Sequence, residues 1–443
     1  LNTAIGFSVL QQTNGNQNTA LGAYSMYYSQ TGDKNTAIGY AALFSTDGVG
    51  EQTAVGSESL MNTTTGTHNS ALGYRTLYSN TTGIRNTAIG HSSSYSNTIG
   101  TNNVSLGFYS LYNNIDGNGN LALGSFALFT NTSSYSVAVG FESLHYNQGN
   151  TNTAIGGYSL YANSTGGANV AIGYSAAESN TTGGSNTAIG HAALAGNTTG
   201  SFNVAIGRQA KTGGNGDYNV AIGYQSHYTS NGSNNTAIGA FSYKSSSGGD
   251  NNTLIGYDVL SSYKGSTTGN TLIGSSVMGS KTTKGNYNIG IGFQVLYYNE
   301  VDSQVAIGHR SMYNTTTGTQ NTAIGYETMY TNNVGSENVA IGYQTMYTNT
   351  TGSGNTIIGY NAVSSLLTTG SNNTIIGHNT SVKNAADSGS IALGKDAVIT
   401  GNNQFVVGSA SVNAGAVTEE AVTSDATWIV IINGTQYKIL LKV

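Results

Sequence analysis

The sequence contains no cysteine and no proline, and only 7% of its 443 residues are charged. The absence of cysteine excludes disulfide bonds and thiolate metal sites. No apolar run reaches the length of about 18 residues that a membrane-spanning helix needs. The net charge of −5 and the lack of lysine or arginine clusters argue against a nucleic-acid partner. We therefore expect neither membrane insertion nor nucleic-acid binding.

Uncharged polar residues, glycine and tyrosine make up much of the chain. It holds 62 glycines and 30 tyrosines. Disordered chains usually combine high net charge with few aromatic residues, and this chain has neither property. Such a composition favours repetitive β structure, in which amides and hydroxyls bond to their own copies in the next repeat.

A five-residue motif, Asn-Thr-Ala-Ile-Gly, recurs from Asn2–Gly6 onward, and its last residue is here called the motif glycine. Successive motif glycines are about 17 residues apart over nearly the whole chain. They stand at positions 6, 22, 39, 56, 73, 90, 107, 124, 140, 156, 173, 190, 207, 223, 239, 256, 274, 292, 308, 325, 342, 359, 377, 394 and 408. One such unit cannot bury its own apolar face, so this period predicts stacked coils of a solenoid.

The residues just before the motif glycine predict a short strand with two faces. The preceding residue is Ile, Leu or Val in all 25 copies, and the residue three before the glycine is usually Thr or Val. These two share one face at the β period of 2, and we assign that face to the core. The predicted core residues are Ile38, Leu72, Ile89, Ile189 and Ile324.

The residue between them is Ala in 18 of the 25 copies, and it points to the opposite face. A solvent-facing position would tolerate many residue types, so repeated alanine indicates the close approach of another surface. A second chain is the natural candidate. The predicted interchain face is represented by Ala37, Ala88, Ala188 and Ala323.

Two turns complete the predicted unit. Asn stands four before the motif glycine in 20 of the 25 copies, where stacked copies would form an amide ladder. A second glycine often lies seven before the motif glycine, as Gly66 and Gly83 do, and indicates the opposite turn. After the motif glycine come an aromatic residue and then Leu or Met. The fold class predicted is all-β, a parallel β-solenoid or β-roll of about 25 turns, on the order of 120 Å long at about 4.8 Å per turn.

The repeat fades after Gly408, and we divide the chain accordingly. Residues 1–408 form the predicted solenoid, 409–426 a connector, and 427–443 a hairpin around Asn433 and Gly434. An isolated hairpin is marginal in water, so we expect this one, with Trp428 and Tyr437, to cap the solenoid or pair with other chains. Leu1 directly precedes a repeat core, so we expect the natural chain to carry a further N-terminal part.

Catalytic and metal-binding patterns are weak. The acids are scattered, and Asp33 and Glu51 are the best pair for a carboxylate-based glycosidase. The histidines after motif glycines predict substitutes for tyrosine in an aromatic row: His91, His191, His309 and His378. We expect no catalytic residue, no metal and no cofactor. Exposed tyrosines among Asn and Ser suit a binding surface, although structural stacking is the commoner use of such rows.

The Asn-Thr-Ala-Ile-Gly-Tyr core, followed by a small residue and Leu, resembles the head repeats of trimeric autotransporter adhesins. It is also similar to arrays in bacteriophage tail-fibre and appendage proteins, and the segment 427–443 looks like a closing hairpin of phage structural proteins. The resemblance covers about residues 1–408. It implies a side-by-side homotrimer and a rigid fibre of a virion tail or capsid appendage. The implied partners are a host-surface glycan or protein and other virion proteins, reached through the missing N-terminal part.

Three alternatives stay open. A bacterial surface adhesin head is the second hypothesis. That family needs a stalk and a membrane anchor after the head, so the about 35 residues after Gly408 disfavour it if Val443 is the true C-terminus. An ice-binding solenoid needs a flat outward face of regular threonine, whereas here Thr alternates with Val beside the predicted core Ile. A glycan-cleaving tailspike is disfavoured by the scattered acids.

Overall fold

The computed structural model describes residues 1–408, apart from 13, 47, 49, 245–247, 262–264 and 281–284, and the backbone of two strands between 427 and 440. The chain divides into two compact units, Leu1–Ser303 and Gln304–Val443. No described residue lies in an α-helix. Each unit is built from stacked turns that contain one short strand each, so the parallel β-solenoid with a spacing of about 17 residues is confirmed.

The described residues of the first unit form eighteen strands, and most of these strands have only three residues. They are β1 Thr3–Ile5, β2 Thr19–Leu21, β3 Thr36–Ile38, β4 Thr53–Val55, β5 Ser70–Leu72, β6 Thr87–Ile89, β7 Val104–Leu106, β8 Leu121–Leu123, β9 Val137–Val139, β10 Thr153–Ile155, β11 Val170–Ile172, β12 Thr187–Ile189, β13 Val204–Ile206, β14 Val220–Ile222, β15 Thr236–Ile238, β16 Thr253–Tyr257, β17 Thr271–Ser275 and β18 Ile289–Phe293.

The second unit continues the pattern with shorter accessory strands near its end. Its strands are β19 Val305–His309, β20 Thr322–Ile324, β21 Val339–Ile341, β22 Thr356–Ile358, β23 Thr374–Ile376, β24 Ser381–Val382, β25 Ile391–Leu393, β26 Val398–Ile399, β27 Phe405–Val407, β28 Thr427–Ile432 and β29 Thr435–Leu440. Strands β28 and β29 pair antiparallel, and β24 pairs with β26.

Equivalent residues of successive turns lie directly above one another. Strand β11 pairs in parallel with β12, so Ala171 stands over Ala188 and Ile172 over Ile189. In the second unit β20 pairs with β21 in the same register. Residues that share a place in the repeat therefore form continuous rows along each unit, and a property repeated in the sequence becomes a property of one face.

The burial of the strand residues reverses the predicted faces. The alanines two before the motif glycine, here called the alanine row, are buried: Ala37, Ala88, Ala188 and Ala323 are each 0% exposed. The predicted core residues instead lie on the outer face, where Leu72 is 49% and Ile89 is 36% exposed. Ile38, Ile189 and Ile324 are half-buried there.

The physical reason is the narrow cross-section of the coil. The interior opposite the alanine row is filled by the residues four after each motif glycine, here called the leucine row, such as Leu60, Leu77 and Leu111. The alanine and leucine rows pack against each other and form apolar clusters that extend over many consecutive turns. Where the alanine row enlarges to Leu272, the next turn has Gly290, and a Cβ there would lie 3.1 Å from the Leu272 side chain. Alanine is thus small because the core is thin.

The turns hold many residues in the left-handed backbone region. Positions two and four after the motif glycine, and five before it, recur with φ near 50–60°, as in Arg75, Leu77 and Arg85. Such a conformation costs about 1–2 kcal/mol for a residue with a side chain. Each turn therefore depends on its neighbours to hold it in place. Arg75 N–H, for instance, donates to the carbonyl of Ser57 in the preceding turn.

Candidate functional site

Asparagine side chains form a buried ladder at the corner before the strands, as the sequence predicted. This first asparagine ladder comprises the residues four before each motif glycine. The Oδ1 of Asn69 accepts the backbone N–H of Asn86 across 2.9 Å, and the Nδ2 of Asn69 donates to the Gly83 carbonyl across 2.8 Å. Asn69 is 0% and Asn86 1% exposed. The predicted amide ladder is confirmed, and it satisfies the backbone of the turn in the interior.

Two further polar ladders were missed from the sequence. Seven after the motif glycine, stacked amides such as Asn97 and Asn114 bond side chain to side chain across 2.9 Å. Six before it, a Ser, Thr, Asn or Asp oxygen accepts a backbone N–H from the preceding turn, as Asp217 does from Ser201 across 2.7 Å. The signal for both was present as recurrent Asn-Thr-Thr-Gly segments and recurrent small polar residues.

The ladder six before the motif glycine accounts for one residue of the best catalytic pair, Asp33 and Glu51. Asp33 belongs to it, because its Oδ1 accepts the backbone N–H of Asn16 across 2.6 Å. Glu51 lines the same shallow surface depression, but its Oε1 lies 3.4 Å from Lys34 Nζ and its Oε2 lies 2.7 Å from His68 Nε2. The structure thus brings Asp33 and Glu51 to one patch in which both carboxylates already have partners. Exposed ion pairs of this kind contribute little to stability.

The histidines that follow motif glycines lie in aromatic columns, as predicted. His91 lies between Tyr74 and Phe108, with ring centroids 5.1 and 5.3 Å apart. In the second unit the rings of the column are nearly parallel. Tyr326 and Tyr343 stack at 5.0 Å, and His309 and His378 stack at the two ends of the column. His191 stacks on Tyr174 at 5.7 Å. These histidines therefore replace tyrosine in the row.

A second aromatic column runs parallel to the first, five residues after each motif glycine. In the first unit Tyr78, Tyr95 and Tyr112 stack at 5.0 and 5.1 Å. In the second unit Tyr330 stacks on Tyr347 at 5.0 Å. These tyrosines are half-buried, whereas Tyr326 and Tyr360 of the first column expose 40% and 49% of their surface. The first column is therefore both structural and accessible.

Three consecutive turns of the first unit carry polar residues in the leucine row. Lys211, His227 and Tyr243 stand in successive turns, and each is 0% exposed. Lys211 Nζ donates to the Gly214 carbonyl across 2.9 Å, and His227 stacks on Tyr243 at 5.1 Å. Neither ring nitrogen of His227 has a hydrogen-bond partner in the described part of the chain.

Burial shifts the titration of this cluster. Loss of solvation lowers the pKa of Lys211 to about 8. The same loss, with a smaller contribution from the nearby Lys211 charge, lowers the pKa of His227 to about 3. Both changes favour the neutral forms, as expected for bases in an apolar interior. The cluster is closed to solvent and offers no room for a substrate.

The outer face of the strands is a partly exposed surface that runs along each unit. It consists of the residues one and three before each motif glycine, here called the outer strand face. Leu106, Ile172 and Ile376 on this face are 47%, 37% and 40% exposed. Neither row contains a charged residue in any of the 25 copies. A surface this apolar and free of charge is typical of an interface.

Two predictions of site residues fall outside the described side chains. Trp428 and Tyr437 lie on β28 and β29, of which only the backbone is described, and the connector 409–426 is outside the described residues. In the described ranges, no group of three or more His, Asp or Glu side chains is arranged to hold a metal ion. The described residues also include no helix long and apolar enough to cross a membrane.

Comparisons with known proteins do not assign the chain to a family. No protein-family model matches the chain, and no curated protein matches it.

Proposed function

We propose that this chain is a non-enzymatic structural subunit of a fibre, which assembles side by side into a homotrimer through its outer strand face. The observation that carries the proposal is the continuous, charge-free stripe of half-exposed Ile, Leu, Val and Thr along each unit. Burying such a stripe removes apolar surface from water at a gain of about 25 cal/mol per Å². Copies of the same chain carry the same stripe in the same register, which makes them matching partners.

The outer strand face takes over the role that the sequence assigned to the alanine row. Alanines buried inside one chain cannot touch a second chain, whereas Ile172 and Ile189 can. The stoichiometry of three follows from the resemblance to the heads of trimeric autotransporter adhesins. The strands β28 and β29 would then cap the coil or join the three chains at its C-terminal end.

The biological role proposed is attachment of a virion to its host. The repeats resemble those of phage tail fibres, and a stiff subunit with an accessible aromatic column suits the presentation of a receptor-binding surface. A host-surface glycan or protein would be the partner, and a virion tail or capsid appendage the location. A bacterial surface adhesin head, which would use the same coil and the same interface, is the alternative.

The oligomeric state tests the proposal directly. Native mass spectrometry of the full chain at micromolar concentration should give three times the 45.5 kDa chain mass. Ile172→Lys combined with Ile189→Lys places two charges on the outer strand face and should yield monomers. Ser185→Lys is the matched control, because Lys34 and Arg85 occupy the same place in other turns, and it should remain trimeric. A wild-type monomer would exclude the proposed interface.

One observation favours a second candidate, an ice-binding solenoid. The threonines three before the motif glycine point outward rather than beside the core, although Val replaces Thr in several turns of the row. Thr187 and Thr236, for example, lie on the outer strand face with aliphatic neighbours two residues on. Inhibition of ice recrystallisation by the wild-type monomer, lost in the Thr187→Lys variant, would support ice binding over trimer formation.

A further inference from the structure

Three Asn-Gly pairs lie in interior turns of the first unit: Asn118-Gly119, Asn215-Gly216 and Asn231-Gly232. Asparagine followed by glycine is prone to spontaneous deamidation, because glycine has no Cβ to hinder the attack of its backbone nitrogen on the preceding side-chain amide. The reaction needs an asparagine side chain that can rotate and a glycine nitrogen that can reach it. The folded chain meets these conditions unequally at the three pairs.

Asn118 is held by one residue of the preceding turn. Its Oδ1 accepts the backbone N–H and the hydroxyl of Thr101, each across 2.8 Å. The nitrogen that would attack is also held, because the Gly119 N–H donates to the Thr101 carbonyl across 2.9 Å. Hydrogen bonds of ordinary length therefore fix both reacting groups of this pair.

Asn215 and Asn231 occupy the same place in successive turns, eight before the motif glycine. The Oδ1 of Asn215 accepts the backbone N–H and the hydroxyl of Thr198 across 2.8 and 2.9 Å. The place of Thr198 is taken by Gly214 in the next turn, and a Cβ at Gly214 would lie 2.7 Å from Asn231 Oδ1. Glycine has no hydroxyl, so the hydroxyl bond that holds Asn215 has no counterpart at Asn231.

Asn231 is the least restrained of the three asparagines. Its side chain is exposed, and within the described ranges of the chain it takes part in no hydrogen bond. The Gly232 N–H donates to the Ser230 hydroxyl across 3.2 Å, a longer bond than the one that holds Gly119. Rotation of the Asn231 side chain towards the Gly232 nitrogen therefore breaks no side-chain hydrogen bond of this turn.

We propose that Asn231 is a modification site, at which the folded chain deamidates selectively. Hydroxide takes the proton of the Gly232 amide, the nitrogen bonds to Asn231 Cγ, and the bond from Cγ to the side-chain nitrogen breaks, so that ammonia leaves. The product is a cyclic succinimide. Water opens this ring at either carbonyl and gives aspartate or isoaspartate. One amide and one water thus become one carboxylate and one ammonium ion, and the chain gains one negative charge.

Incubation of the full chain at pH 9, followed by chymotryptic peptide mapping with mass spectrometry, measures the three rates in one sample. Tyr135 separates Asn118 from Asn215, and Tyr218 separates Asn215 from Asn231, so each pair falls in its own peptide. In the folded chain, Asn231 should deamidate at least about tenfold faster than either other site. In concentrated urea the turns are lost, and the three rates should lie within about threefold of one another.

A substitution at Thr198 tests the cause of the difference. Thr198→Val removes the hydroxyl that holds Asn215 Oδ1 and keeps the backbone N–H, so it should raise the rate at Asn215 about threefold. The rate at Asn231 should not change. Asn231→Gln is the control for the assignment, because glutamine closes a larger ring slowly, and this variant should lose the charge change seen first in the wild type.

Two results would overturn the proposal. One is a rate at Asn231 in the folded chain that does not exceed the rate at Asn118. The other is the same ratio of these two rates in urea as in the folded chain, because the dipeptides and not the turns would then set the rates. Both comparisons are made within the wild-type chain, so neither depends on the folding of a variant.

Discussion

Asn186 and Asn203 lie one turn apart in the first unit, and the Oδ1 of Asn186 accepts the backbone N–H of Asn203 across 3.0 Å. The same side chain donates from Nδ2 to the Gly200 carbonyl across 2.9 Å. One amide thus bonds two backbone groups of the following turn, and both asparagines are at most 2% exposed. The ladder links each turn to the next in the interior, where water cannot compete.

Removal of this amide should destabilise the first unit. Asn186→Ala leaves the Asn203 N–H buried without a partner and removes one of the two amides that donate to the Gly200 carbonyl, at an expected cost of about 1–3 kcal/mol in the free energy of unfolding. Urea denaturation followed by circular dichroism measures the loss. Asn231→Ala, at an exposed asparagine of the first unit outside the left-handed positions, is the control and should change stability by less than about 0.5 kcal/mol. Equal effects of the two substitutions would contradict the ladder.

Glycine is required at the motif position but not five residues before it. Gly342 has φ of 137°, and a Cβ there would lie 1.9 Å from the Gly359 carbonyl oxygen, so Gly342→Ala should cost more than about 3 kcal/mol. Gly354, at φ of 69°, occupies the place that Ala168 fills in another turn, so Gly354→Ala should cost about 1 kcal/mol. Thermal unfolding of both variants measures the difference, and the reverse order would refute it.

The reversed faces of the strand give a paired test at adjacent positions. Ala188→Leu adds bulk to the thin core and should cost about 1–3 kcal/mol. Thr187→Leu adds the same side chain to the outer strand face, where Leu121 occurs naturally, and should cost less than about 0.5 kcal/mol. Chemical denaturation at a fixed oligomeric state decides between them. A larger cost for Thr187→Leu would restore the original assignment of the core.

Stability should depend on pH through the buried leucine-row cluster. The pKa of Lys211 is lowered to about 8, so between that pH and 10.5 the unfolded chain binds more protons and stability rises with pH, by about 3 kcal/mol in total. The pKa of His227 is lowered to about 3, so stability falls as the pH drops from 6.5 towards that value.

Single substitutions separate the two effects. Lys211→Leu should abolish the alkaline rise, and His227→Leu should abolish the acid loss, because leucine fills the same place in neighbouring turns. Urea midpoints measured from pH 4 to pH 10.5 provide the data. A pH profile of either variant that matches wild type would show that the substituted residue is not the titrating group.

The sequence was sufficient for the period, the strand position and the asparagine ladder, because each depends on spacing along the chain. It was not sufficient to predict which face of each strand points into the core. Alternation at Thr187, Ala188 and Ile189 defines two faces, and hydrophobicity alone assigns Ile to the inside. The inside is set by the width of the coil, which depends on the leucine row across from it.

The in-register stacking of equivalent residues also has a consequence for inheritance. Every turn bonds to its neighbours through the same backbone and amide groups, so a turn such as that from Asn186 to Phe202 presents the same contacts above and below. A gene with such near-identical segments can lose or gain one whole segment by recombination. The resulting protein would keep the register of its stacked turns and would differ only in their number. The number of turns can therefore vary without loss of the fold.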